Sequence, residues 1–221
     1  MKKKSIKISL VINIIVFILT VAASIIMFTG FKFMGNDVVL ESTKIGMLKF
    51  FTVQSNIFMG LMALICAIKE ISVLKGKIKD VPIILYVLKL ISTVAVGLTF
   101  ITVVAYLGPI SVGGLPSMLK NSNLFFHLLI PVISMINFAI FEKTDKIKFK
   151  YTFLGLIPTV LYAIFYLINV LIHMENGKVS PIYDWYWFAQ AGIWQICIVV
   201  PLMMFVTYFI SIVLWRVNKK V

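Results

Sequence analysis

Long apolar runs alternate with short polar stretches along this chain. The runs cover roughly residues 8–29, 46–68, 81–107, 124–141, 152–173 and 191–215. Each approaches or exceeds the ~20 residues a helix needs to cross the hydrocarbon core of a bilayer. None shows the strict alternation of a barrel strand, so helices are the spanning solution. The pattern predicts an all-α, polytopic membrane protein: one six-helix domain filling residues 1–221. The first run follows Lys2, Lys3 and Lys4 and is longer than the apolar stretch of a cleaved signal peptide, so it reads as a retained anchor.

Composition supports this picture. Of 221 residues, 61% are apolar and only 13% charged, against about one quarter charged in a soluble domain. The net charge of +13 would suit a nucleic-acid partner, but the cations sit in clusters between runs rather than along one face, so no nucleic acid is expected. Fifteen fall on one side: Lys2, Lys3, Lys4, Lys7, then Lys69, Lys75, Lys77, Lys79, then Lys143, Lys146, Lys148, Lys150, and finally Arg216, Lys219, Lys220. The other side holds Lys32, Lys44, Lys120 and Lys178. This asymmetry puts both termini in the cytoplasm. Richness in Lys and Ile suggests a bacterial plasma membrane. Cys66 and Cys197 both fall inside apolar runs, so neither a disulfide framework nor a metal site is expected, and no cofactor is implied.

Polar residues within the runs are costly unless partnered, so their positions are informative. In the second run Thr52, Ser55, Asn56 and Met59 share a helical face. In the fourth, Asn123, His127, Ile130 and Ser134 do so. Thr99, Thr102 and Tyr106 lie together near the end of the third, and Tyr162, Tyr166, Asn169 and His173 along the fifth. At about 1.5 Å per residue, Thr52 and His127 stand about 9 Å and 5 Å below the outer ends of their helices. All four stripes fall in the outer half, which predicts a polar cavity bounded by the second to fifth helices. The simpler alternative is interhelical hydrogen bonding, worth about 1 kcal/mol per contact. His173 reads as interfacial. Lys89 reads as reaching back to the cytoplasm, and Lys49 as reaching outward or placing charge near the cavity. All eight acidic residues read as loop or helix-end positions, which argues against an ion-coupled transporter. The aromatic loop 180–188 reads as an interfacial belt or as a cap over the cavity.

The stretch Leu48-Lys49-Phe50-Phe51-Thr52-Val53-Gln54-Ser55-Asn56 resembles the Phe-Thr-x-Gln-Ser-Asn signature of bacterial relatives of the androgen-induced protein family. Asn123-Leu124-Phe125-Phe126-His127, followed by Pro131 and by Phe141-Glu142, is similar to that family's histidine-bearing helix. Residues 180–188 resemble its Tyr-Pro-rich loop. The animal members are intramembrane threonine hydrolases of fatty acid esters of hydroxy fatty acids. The resemblance implies Thr52 as nucleophile and His127 as its base, with membrane lipids and a lipid ester as partners. Gln54, Asn56 or Asn123 would donate to an oxyanion, and Ser55, Tyr106, Tyr166 and Asn169 would line the cavity. Where animal members carry Asn or Asp three residues after the threonine, this chain has Ser55.

A rival of another class is a non-enzymatic binding or uptake subunit, such as the substrate-binding membrane component of a vitamin transporter. It shares the helix count and the basic loops, but its Ala-x-x-x-Ala pattern in the first helix is missing here. A structural protein without a site is the third reading. The residues leave the oligomeric state open.

Overall fold

The computed structural model describes residues 3–35, 40 and 42–219; Lys2 and Lys220 lie outside the described residues. Among the described residues six helices are long and apolar enough to cross a membrane, the make-up of a multi-pass membrane protein. They are α1 (Lys3–Thr29), α2 (Phe51–Leu74), α3 (Ile83–Ile110), α4 (Ser122–Phe141), α5 (Phe149–Ile172) and α6 (Ile193–Asn218). The second span starts later and ends later than its apolar run. Lys44–Lys49 form a separate tight turn, and Phe50 is extended before α2 begins.

Burial follows membrane logic. In α1 the buried positions are Ile6, Ser9, Asn13, Val16, Thr20, Ala23 and Met27, a three–four stripe. Val11, Ile14, Ile15, Ile18, Val21 and Ile25 are exposed. The outward face is thus the more apolar one, the reverse of a water-soluble helix. Close approach needs small residues: a Cβ at Gly60 in α2 would come within 2.7 Å of Thr20. The hub is α3, 67% buried over its apolar window against 22–39% for the other five spans. It packs against α2, α4, α5 and α6.

Prolines shape the spans. Pro131 has no N–H to give the His127 carbonyl four residues back. The helix widens there: Phe125–Leu129 form a π turn, and Ile130 N–H bonds the Phe125 carbonyl. Pro109 follows a similar wide turn at Val103–Leu107. A third, without proline, spans Asn137–Phe141, closed by Glu142 N–H to the Asn137 carbonyl at 3.0 Å.

The start of α1 and the end of α6 lie at one end of the bundle, the terminal end. There Ser5 Oγ donates to the Phe141 carbonyl at 2.7 Å, and Asn218 Nδ2 donates to the Phe138 carbonyl at 2.6 Å. At the opposite, far end a short hairpin pairs β1 (Met174–Glu175) with β2 (Lys178–Val179). Its Asn176-Gly177 turn has positive φ at both residues, as two-residue hairpins favour.

Candidate functional site

A cavity of about 70 Å³ opens at the far end, between α2, α3, α5, α6 and the loop before α6. Its wall is almost wholly apolar, formed by Leu98, Val103, Leu107, Ala163, Val200 and Met203 among others. A few hydroxyls interrupt it. Most are tied off. Thr99 bonds Ser55 at 3.1 Å, Thr159 bonds Thr207 at 3.3 Å, and Tyr162 donates to the Lys49 carbonyl at 2.7 Å. Tyr166 donates to Asp184. Tyr186 differs. Its hydroxyl lies beside the Thr52 side chain and Tyr162, yet it is buried without an aligned partner. Burial pushes this phenol above its ordinary range, so it stays a neutral O–H on a residue that lines the cavity. A buried, unspent donor beside Thr52 is what a ligand oxygen would meet.

The loop is held down firmly. Asp184 is fully buried and accepts from Tyr166, from Phe188 N–H at 2.9 Å and from Ala189 N–H at 3.0 Å. Asn169 Nδ2 holds the Tyr183 carbonyl at 2.7 Å, and Trp185 Nε1 donates to Tyr162 at 3.0 Å. Tyr166 and Asn169 therefore anchor the loop, with Tyr166 also on the cavity wall. Lys49 lies over the Phe50 and Trp185 rings at 5.1 and 5.3 Å, a cation–π clasp. His173 stacks on Tyr183 with centroids 3.6 Å apart. Tyr106 packs its ring on Phe188.

The expected cavity needs correction. It is bounded by α6 rather than α4, its wall is apolar rather than polar, and Asn56 and His127 are outside its lining. Asn56 instead bridges the two helices, donating to the Thr52 carbonyl at 2.7 Å and the Phe126 carbonyl at 3.0 Å. His127 is buried, with Nδ1 at 2.7 Å from the Met118 carbonyl. A carbonyl only accepts, so Nδ1 carries the proton and a neutral ring keeps its lone pair on Nε2. Gln54 is exposed and donates to the Leu48 carbonyl at 2.7 Å, away from the cavity. Ser55 spends its hydroxyl on Thr99 and on the Thr52 carbonyl. Asn123 is buried at the start of α4.

The larger correction concerns charge. Glu70, one turn before the end of α2, and Glu142, just after α4, do hold helix-end positions, but neither faces water, and Lys89 does not reach the bundle end. All three are buried at 1–3% exposure, with Ser9, Asn13 and Asn137 fully enclosed around them. Asn13 Nδ2 donates to Glu70 Oε2 at 3.1 Å and to Glu142 Oε1 at 3.0 Å. Ser9 Oγ lies 2.5 Å from Glu70 Oε1 and 3.3 Å from Glu142 Oε1. Lys89 Nζ donates to Asn13 Oδ1 and lies 3.4 Å from Glu142 Oε1. Asn137 Nδ2 bonds Glu142 Oε1 at 3.0 Å. The signal was present in the sequence as Ser9 and Asn13 four apart in α1, and as Glu70 one turn before α2 ends.

Comparison with family models, characterised proteins and solved structures gives no match. The reading of function therefore rests on this geometry and on the short sequence resemblance.

Proposed function

We propose that the chain is an intramembrane hydrolase of lipid esters, with its acyl chain held in the far-end cavity and Thr52 as nucleophile. The observation that carries this reading is the pairing of Thr52 with the unspent Tyr186 hydroxyl on an otherwise apolar wall. An apolar wall takes up acyl chain, and convergent polar groups fix the ester. Thr52 Oγ would attack the ester carbonyl, its proton passing to Nε2 of His127. The Tyr186 O–H would donate to the developing oxyanion. The leaving alkoxide would take the proton back, and water would then release the acyl group from Thr52. The role of His127 comes from the family resemblance; on the protein side, the Asn56 bridge between the turns of Thr52 and Phe126 supports it.

A second reading is a non-catalytic receptacle for an apolar ligand with one polar group. It draws support from the position of His127 outside the cavity wall. Purified protein exposed to a fluorophosphonate probe and to a branched fatty ester separates the two. A hydrolase labels and turns over, and loses both in Thr52→Ala and in His127→Ala. A receptacle gives neither, yet binds the ester saturably and keeps that binding in His127→Ala.

The lysine asymmetry supports cytoplasmic termini, which would set the cavity in the outer half of the bilayer. Single cysteines at residues 75–79 and 143–148 should then react with an impermeant maleimide only after the membrane is opened.

A further inference from the structure

Two carboxyl groups and one ammonium share the buried cluster at the terminal end. Fully ionised, they leave one uncompensated negative charge among four spans, which burial makes very costly. The hydrogen bonds say which group is neutral. Glu142 Oε1 accepts from Asn13 and Asn137 and faces the Lys89 ammonium, while the one Ser9 hydroxyl hydrogen, 3.3 Å away, goes to the nearer Glu70 oxygen. Three donors, one of them charged, favour the ionised form. The bonds to Glu70 among the described residues come from the neutral Ser9 and Asn13. A second observation points to an exchangeable ligand. A cavity of about 10 Å³, room for about one water, adjoins the cluster and is lined by Cys66, Glu70, Val81, Tyr86, Lys89 and Glu142. Glu142 Oε2, buried on this cavity, has no hydrogen-bond partner.

We propose that this cluster is a binding site for a single proton, carried by Glu70, beside a resident Lys89–Glu142 ion pair. The proton exchanges with the solution at the terminal end. From the small cavity the route passes Tyr86, whose hydroxyl donates to Asp80 at 3.4 Å. Asp80 is paired with Lys146 at 2.6 Å, and both are partly open to solvent. The titratable groups that face Glu70 are thus Glu142 after α4, Lys89 and Tyr86 from α3 and Cys66 from its own helix; α1 presents only Ser9 and Asn13. A water in the cavity would bridge the unpaired Glu142 oxygen to the route, so the bond broken on release is Glu70 O–H and the one formed is to that water.

The test is the infrared carbonyl stretch of a protonated carboxyl, read near neutral pH in an ester-free detergent. Wild-type protein should show one such band, shifting in heavy water and absent from Glu70→Gln. A wild type without the band, or a band that survives in Glu70→Gln, overturns the assignment. Stability gives the second readout. Glutamine closely imitates a neutral carboxylic acid, so Glu70→Gln should keep the wild-type Tm, whereas Glu142→Gln, which strips Lys89 of its counter-charge, should lower it by many degrees. A Glu70→Gln protein that fails to fold, or that loses as much as Glu142→Gln, shows that the position needs a carboxylate and also overturns the proposal. Tyr86→Phe should retain the band and slow its exchange in heavy water; equal exchange rates would remove Tyr86 from the route.

Discussion

The two ends of the bundle treat polar groups in opposite ways. At the terminal end, charged and amide side chains from α1 to α4 face one another and are nearly all spent on partners. At the far end, hydroxyls surround a hole, and one of them, Tyr186, is left unspent. A polar group in a membrane is held by what it would lose on leaving its partners. The cluster therefore joins helices while leaving Glu142 Oε2 to its small cavity, and the unsatisfied Tyr186 hydroxyl awaits something else. Polarity alone does not mark a site in a membrane; an unmet polar group beside empty space does.

The contrast meets its hardest test at Lys89. Lys89→Met leaves Glu142 without its cation and should cost about 3–5 kcal/mol, as for other broken buried pairs, read by thermal unfolding in detergent. A loss below about 1 kcal/mol would mean that the cluster does not hold the bundle. Next comes Tyr186→Phe, which removes a buried donor that has no aligned partner in the free protein. Stability should be unchanged or slightly higher, while ester turnover falls about 10²-fold, the scale of one oxyanion donor. Lower Tm with unaffected turnover would make Tyr186 a structural hydroxyl like its neighbours. Asp184→Ala strands two backbone N–H groups and the Tyr166 hydroxyl. It should cost about 1–3 kcal/mol and expose the loop 180–188 to protease, with the terminal end still protected.

The smallest effect is at Asp80. Burial raises its carboxyl, but the bond from Lys146 and the Val81 N–H outweigh that and hold it below the usual carboxylate range. Since its folded value lies below the unfolded one, its stabilisation is present above about pH 4. It is lost as pH falls through the folded value. The pair is partly exposed, so screening leaves a few tenths of a kcal/mol. Asp80→Asn should therefore flatten the acid limb of a stability–pH curve slightly and change nothing near neutrality.

How much of this was legible in the chain depended on periodicity. The six spans were legible because an apolar run of bilayer length has few places to go except into a bilayer; of the face counted on α2, Thr52 lines the cavity and Asn56 does not. Two things defeated the rest. The apolar run of the second span stops near residue 68, while α2 continues to Leu74, so Glu70 passed for a loop or helix-end residue with no buried partners. Counting by threes and fours also assumes an unbroken helix. The wide turn at Phe125–Leu129 interrupts α4, and although Asn123, His127, Ile130 and Ser134 are all buried, none of them lines the cavity. Lys89 misled for a physical reason: its long stem fits an escape to water as well as an internal partner, and only Asn13 and Glu142, distant in sequence, decide between them.

Anchorage through Asp184 also governs how the cavity fills. If the ligand is a lipid, a roof pinned through Tyr166, Phe188 and Ala189 would slow arrival from the aqueous side, and the wall of Ala163, Met203 and Met204 on the spans α5 and α6 would be the side nearer the acyl chains. Occupancy should then follow the mole fraction of ligand among the lipids rather than its molarity in the buffer. Diluting a liposome suspension tenfold with buffer would leave the cavity as full as before, and adding the same volume of empty liposomes would drain it.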